Sequence, residues 1–315
     1  MKKLKLKNLS FSIIIVLLLF LNKSIIKADT VSNATSNVTS NVTSNEISDA
    51  IYEAISNVKS DTASDALSNI TSESIYKAMS DARAIIGSDD RKVAANPDPR
   101  IMYILTAFPN GEITIGTGFL ISNRYLLTAA HVMYDSYRGG RYSVLTAIPA
   151  GRDYSGTYGV YVATDESVCH EDWRDGVYDK DYGVVVLDRN VPYTFGKFAL
   201  EIRSDFTLMT ADPHDGWKKP QFTIQGFGGS DTAVQWYSKG PLKNVSHTKL
   251  IYDLDTEGGT SCSPIISSSG NVVGIHNLGF FDNQQLNAGI RITVDVLEQL
   301  DKWNVPYEIA NLSWK

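Results

Sequence analysis

From residue 84 onward the sequence predicts an all-β domain, and three observations carry that reading. Short runs rich in Val, Ile, Tyr and Thr recur at 102–108, 113–121, 158–163, 183–187, 222–225, 249–254 and 272–275, separated by Gly, Asn, Asp and Pro. Helical periods are sparse in this stretch. The exception lies near the end, where Val294, Leu297, Leu300 and Trp303 fall on one face of a closing helix. So many short strands over about 200 residues fit two barrels or a sandwich, and periodicity alone does not choose between them.

Composition narrows the class. The chain has 315 residues, 43% of them hydrophobic, enough for one large core or two small ones, as in a soluble enzyme. A net charge of −6, with no basic run beyond the extreme N-terminus, argues against nucleic acid as a partner. Cys169 and Cys262 are the only cysteines, too few for a disulfide scaffold, so the core must hold itself together. Whether the two form a single bridge stays open at this level, and no metal or cofactor is expected.

Ahead of the β domain the chain changes texture twice. Residues 1–28 read as a secretory signal peptide: Lys2, Lys3, Lys5 and Lys7, an apolar run over 11–21, then a polar stretch ending at Lys27-Ala28. That run falls short of the roughly 20 residues a spanning helix needs, so export is expected and a stable membrane anchor is not. Residues 29–83 read as a pro-segment. Its first part repeats Ser-Asn-x-Thr, as in Ser36-Asn37-Val38-Thr39, a polar tether unable to bury a core. Asn33, Asn37, Asn41 and Asn69 fit the N-glycosylation pattern, which a Ser- and Thr-rich tract produces by chance. Ile47, Ile51, Ile55 and Val58 then recur at helical spacing, and Arg83 closes the segment. Such a segment serves either as a spacer or as a cover over a site until it is removed.

The candidate chemistry centres on Glu257-Gly258-Gly259-Thr260-Ser261-Cys262-Ser263-Pro264, a glycine-containing turn that presents one serine before the strand Ile265-Ile266. Gly259 stands two residues before Ser261, which lets the N–H groups of Gly259 and Ser261 point into one space as an oxyanion hole. Serine needs a base and an orienting carboxylate. Of five histidines, His131 follows the strand-like Tyr125-Leu126-Leu127 and the small Thr128-Ala129-Ala130, which permit close packing beside another segment. Asp181 opens the apolar strand Tyr182-Gly183-Val184-Val185-Val186-Leu187. Each signal alone also fits a structural residue.

Together, the order His131, Asp181, Ser261 and the contexts Leu-Thr-Ala-Ala-His, Asp-Tyr-Gly-Val-Val-Val-Leu and Gly-Thr-Ser-x-Ser-Pro resemble the chymotrypsin-fold proteases. More narrowly, the chain resembles the secreted bacterial glutamyl endopeptidases in Ile85-Ile86-Gly87-Ser88-Asp89-Asp90-Arg91, Tyr252-Asp253-Leu254-Asp255-Thr256 and Val273-Gly274-Ile275-His276-Asn277. The resemblance implies a protease domain over 84–315: two six-stranded antiparallel β-barrels, about 98–195 and about 196–292, then a helix at about 293–303. It implies a triad in the cleft, with His131 as base, Asp181 holding its tautomer and Ser261 attacking the peptide carbonyl of protein or peptide substrates.

Two departures from the family pattern are Cys262, where glycine is usual, and Thr260, where many animal-type relatives carry aspartate. They keep an inactive, binding-only homologue and a cysteine nucleophile among the alternatives. Register disfavours the latter, because Gly259 is two residues from Ser261 but three from Cys262. For the substrate pocket, Thr256 and His276 match the hydroxyl and imidazole with which the family binds a glutamate side chain, less often an aspartate. Asp255, six residues before Ser261, stands where trypsin-like enzymes select Arg or Lys. The resemblance also places the mature N-terminus at Ala84, whose α-amine would help bind the substrate carboxylate after an activating protease cuts at Arg83.

Overall fold

The computed structural model describes residues 84–310 apart from 152–157, 175–176, 213–215, 229–233 and 282–285. The expected signal peptide, the expected pro-segment with its glycosylation motifs, and Arg83 lie outside the described residues.

The first half is built from β2 (Ile101–Ala107), β3 (Ile113–Ser122), β4 (Tyr125–Thr128), β7 (Val144–Pro149), β8 (Tyr161–Val162), β9 (Val168–Cys169) and β10 (Gly183–Val186), with β1 (Lys92–Val93) preceding them. A separate ribbon pairs β5 (Tyr134–Asp135) with β6 (Gly140–Arg141). The antiparallel order is β8-β7-β2-β3-β4-β10-β9. Its two ends are consecutive in sequence. Ala163, just after β8, bridges Leu187 at the end of β10, and the Thr164 N–H donates to the Val186 carbonyl, so the bent stretch 161–169 closes the ring as a sixth strand in two pieces.

The second half contains β11 (Phe222–Phe227), β12 (Gln235–Gly240), β13 (Asn244–Val245), β14 (Lys249–Tyr252), β15 (Pro264–Ser267), β16 (Val272–Phe281) and β17 (Leu286–Arg291). Six strands run β12-β11-β15-β16-β17-β14, with β1 added at one end and β13 at the other. Thus the chain's first described strand joins the second barrel. Phe222, Ile224, Leu250, Tyr252, Ile265 and Val273 fill this barrel's interior. Burial alternates along β11, where Thr223 and Gln225 are half-buried between Phe222, Ile224 and Gly226, whereas β16 is buried on both faces, Val273 in this interior and Val272 in the other core cluster.

Short helices fill the connections: α1 (Ala130–Met133), α2 (Glu171–Arg174) and α3 (Asp205–Met209). The closing helix α4 (Val294–Lys302) is capped by the Thr293 side chain, which accepts from the Val296 N–H. It buries Val296, Leu297 and Leu300, while Trp303 meets Tyr182 and His170 of the first barrel, so α4 straps the two barrels together. A second tie is the buried Lys249 of β14, whose Nζ pairs with Asp179 Oδ1 at 3.0 Å and donates to the Tyr178 carbonyl at 3.2 Å.

Besides the two-residue strands, three longer ones escape the pattern in the sequence, β7, β12 and β17, because Ala, Gly, Pro, Ser or Asn interrupts their apolar alternation. The expected strand over 158–163 shortens to β8, whereas that over 272–275 continues to Phe281 through irregular pairing with β17.

Candidate active site

Antiparallel pairing of β4 with β10 sets Thr128 opposite Gly183 and Leu127 opposite Val184, so the residues following β4 lie beside those preceding β10. His131 and Asp181 are those residues. The fully buried Ala129 and Ala130 bring the α1 backbone close to the barrel. Asp181 Oδ1 accepts from the His131 backbone N–H at 2.9 Å, and Oδ2 faces His131 Nδ1 at 2.7 Å. A carboxylate has no proton to offer, so Nδ1 carries the hydrogen and Nε2 keeps its lone pair. Asn277 Nδ2 donates to the same Oδ2 at 3.3 Å, and Asp181 is 1% exposed. Burial by itself lowers the His131 pKa, but the charge and hydrogen bond of Asp181 outweigh it and leave it raised above the ordinary histidine value.

The Ser261 turn is fixed against this pair by the first barrel. Thr117 of β3 donates its N–H to the Ser261 carbonyl at 2.8 Å. Its buried Oγ1 donates to the Gly259 carbonyl at 2.9 Å and accepts the Phe227 N–H at 3.0 Å. Gly259 has φ +94°, and a Cβ there would stand 2.9 Å from the Phe227 carbonyl oxygen, so glycine is required on both counts. Among the described residues neither the Gly259 nor the Ser261 N–H has a protein acceptor.

Cys262 is wholly buried with φ +79°, the left-handed conformation that explains a glycine at this place. Its Sγ accepts the Ala129 N–H at 2.7 Å, two residues before His131, and burial pushes the thiol pKa far above the ordinary cysteine range. A protonated thiol facing the α1 backbone is a packing group and not a nucleophile. Both cysteines are free.

The residues expected to form the substrate pocket lie on segments of the second barrel and on the strand bridge to Ala84. His276 of β16 is 3% exposed, and the Tyr252 hydroxyl meets its Nδ1 at 2.7 Å. Burial pulls the His276 pKa down to about 3, so the ring is neutral, and burial likewise holds the Tyr252 phenol protonated. Thr256 bridges Ala84: the Ala84 N–H donates to the Thr256 carbonyl at 3.1 Å, and the Thr256 N–H returns a bond at 3.4 Å. Asn287 Nδ2 donates to the Ala84 and Leu254 carbonyls. Asp255 is 3% exposed and already engaged, its Oδ1 accepting from the Ile86 N–H at 2.7 Å and its Oδ2 from the Asp90 N–H at 2.9 Å.

Sequence reasoning had assigned no role to Thr117, Asn277, Tyr252, Asn287 or Arg91. Thr117 and Tyr252 lie inside strand patterns that hide them among β-formers, and Asn277 drew notice only as part of a motif. Thr117, Tyr252, Asn277 and Asn287 have partners 24 to 203 residues away in the chain, and Arg91 pairs with the remote Glu257 as well as with the nearby Asp89, so no local signal marks these roles.

Residues 116–275 match the trypsin-like peptidase domain family. A glutamyl endopeptidase from Bacillus licheniformis is 30% identical over 232 residues, 70% of this chain and 69% of that protein. A Bacillus subtilis protein named extracellular metalloprotease is 26% identical over 231 residues, again 70% and 69%. That name implies a metal, yet among the described residues no three His, Cys, Asp or Glu side chains gather as ligands would. Of solved structures, a Glu endopeptidase in complex with MPD superposes with TM-score 0.58 at 23% identity, covering 69% of this chain and 98% of that one. The protease Anisep from Arthrobacter nicotinovorans superposes with TM-score 0.55 at 14% identity, covering 68% and 98%. With a two-barrel fold and a buried carboxylate orienting a histidine beside a serine turn, the chain belongs to the trypsin-like peptidases as a chymotrypsin-fold serine endopeptidase of the glutamyl endopeptidase family.

Proposed function

We propose that this enzyme is a secreted endopeptidase that cleaves after Glu, and less often after Asp, through His131, Asp181 and Ser261. Nε2 of His131 takes the proton from Ser261 Oγ as the hydroxyl attacks the scissile carbonyl, and later delivers it to the leaving amine. Asp181 holds the tautomer and stabilises the imidazolium. The Gly259 and Ser261 N–H groups receive the developing oxyanion, an interaction whose single-donor loss costs about 100- to 1,000-fold in turnover. Water then attacks the acyl-enzyme by the same route.

The observation that carries the specificity reading is the state of Asp255. Each of its oxygens accepts a backbone N–H, from Ile86 and from Asp90, and the side chain is buried, which supports reading it as the anchor of the N-terminal segment and not as the partner of a substrate cation. A neutral His276 supports the complementary role: in the tautomer in which the Tyr252 hydroxyl donates to Nδ1, Nε2–H is the donor for a carboxylate. Ala84, docked on Thr256, adds its α-amine once an activating protease has cut after Arg83. A positive charge next to a partly desolvated carboxylate is worth more than the same pair in water.

The test is a peptide library varied at the residue before the scissile bond, digested with enzyme from culture supernatant. Cleavage confined to Glu and Asp is expected. Preference for Arg or Lys, abolished in Asp255→Ser, would replace this reading with a trypsin-like one, and no cleavage together with no fluorophosphonate labelling of Ser261 would leave a binding protein on a protease fold.

A further inference from the structure

The segment that opens the described chain does more than dock Ala84. Arg91, directly before β1, is 7% exposed at its side chain and so is inside the protein, not on it. Its Nη2 lies 2.6 Å from Glu257 Oε2 and 2.8 Å from Asp89 Oδ2, its Nε donates to Asp89 Oδ1 at 2.9 Å, and its guanidinium stands over the Trp236 ring at 5.2 Å. Pairing of Val93 with Trp236 holds the backbone in place. Glu257 is equally buried, 5% at its side chain, and it begins the nucleophile turn. Its carbonyl accepts the Thr260 N–H at 2.9 Å and its N–H donates to Thr260 Oγ1 at 3.2 Å. The two peptides between them belong to Gly258 and Gly259, the most freely rotating units available.

We infer that Arg91 is a positioning residue for the oxyanion turn, acting through Glu257. Loss of the Arg91 cation deprives the buried Glu257 carboxylate of this ion pair, and its response moves the first residue of a five-residue stretch, 257–261, whose third and fifth N–H groups face the reacting carbonyl. Arg91 fixes Glu257, Glu257 fixes Thr260, and the intervening glycine peptides are held in one orientation. Thr260 leaves no carboxylate beside Ser261 to take a liberated α-amine, so a side chain within the segment supplies the cation that steadies this turn. Order in the turn therefore depends on Arg91 and is separate from the contribution of the Ala84 amine to the pocket.

This inference rests on the oxyanion role given above to Gly259 and Ser261. The experiment compares the secreted enzyme with Arg91→Ala, Arg91→Lys, Glu257→Gln and the double variant Arg91→Met with Glu257→Gln, each corrected for its active fraction. For each, kcat and KM are measured on a Glu peptide, with inhibition constants for a Glu peptide aldehyde, which forms a tetrahedral adduct, and for the matching peptide alcohol, which has no carbonyl. In Arg91→Ala kcat should fall about 10- to 100-fold, aldehyde affinity by a similar factor, and KM and alcohol affinity by less than twofold. Arg91→Lys should show the same split on a smaller scale, and it carries the test if the alanine variant does not accumulate. The double variant, which removes both charges of the Arg91–Glu257 pair together, should recover stability but not kcat. Normal kcat in the folded fraction of these variants, or equal losses for aldehyde and alcohol, would overturn the inference. If the unmodified enzyme prefers Arg or Lys, the Glu reading falls while this test proceeds on the corresponding ligands; if Ser261→Ala stays active, the site assignment falls first.

Discussion

Replacing Cys262 by glycine, the residue the family pattern favours, tests whether the thiol is a tolerated intrusion or a structural part. The left-handed backbone at φ +79° costs a non-glycine residue about 1–2 kcal/mol, which glycine would recover. Against this stand the burial of CH₂–SH, roughly 1–2 kcal/mol for a fully enclosed side chain of that size, and the Ala129 N–H, which loses its acceptor at about 1–3 kcal/mol. Glycine also widens the unfolded ensemble by up to about 1 kcal/mol. At the midpoints of these ranges the balance is a destabilisation of about 2–3 kcal/mol, or about 5–10 °C in Tm at this domain size. Urea unfolding should be measured in a Ser261→Ala background, since self-digestion would otherwise make unfolding irreversible. Cys262→Ser, which keeps a small acceptor, should lose less and remain active. A Cys262→Gly protein as stable as its parent would refute the argument, and inactivation of the native enzyme by iodoacetamide would refute the buried, protonated thiol.

Ser261→Ala and His131→Ala should each reduce hydrolysis to near background in a folded protein, and the double variant should lose little more because the groups act as a unit; CD spectra alongside kcat check this. The raised pKa of His131 means that the base is protonated below it, so kcat should climb with pH along a single limb centred above the ordinary histidine value, as a pH–rate profile will read. His276, neutral above about pH 3, should add no second limb, and KM for a Glu peptide should stay flat between about pH 5 and pH 7; a KM that rises steeply there would mean a protonated His276. His276→Ala should depress Glu cleavage far more than reaction with a small phosphonate. Precursor purified intact should persist until a trypsin-like protease is added and then gain activity, with N-terminal sequencing showing Ala84 first; self-processing lost in Ser261→Ala would instead favour Arg or Lys specificity.

What could be read from the sequence was local: the alternation of strands, the closing helix, and three short contexts around His131, Asp181 and Ser261. Alternation is written residue by residue, because successive side chains in a strand face opposite sides, and a nucleophile turn needs its glycine at a fixed offset. Periodicity left barrels and a sandwich open; the resemblance of the three contexts to the chymotrypsin-fold proteases chose barrels, and the strand order bears that out. Only folding showed that residues 161–169 close the first ring and that β1 joins the second. The same holds for the meaning of Asp255. In sequence it is a carboxylate at a selectivity position; in space each of its oxygens accepts a backbone N–H, from Ile86 and Asp90, 169 and 165 residues away. Cys262 and Glu257 follow suit, each defined by a partner on a segment remote in the chain, Ala129 and Arg91. A residue's type and immediate neighbours fix which bonds it is able to make, whereas which bonds it does make depends on what the fold packs against it.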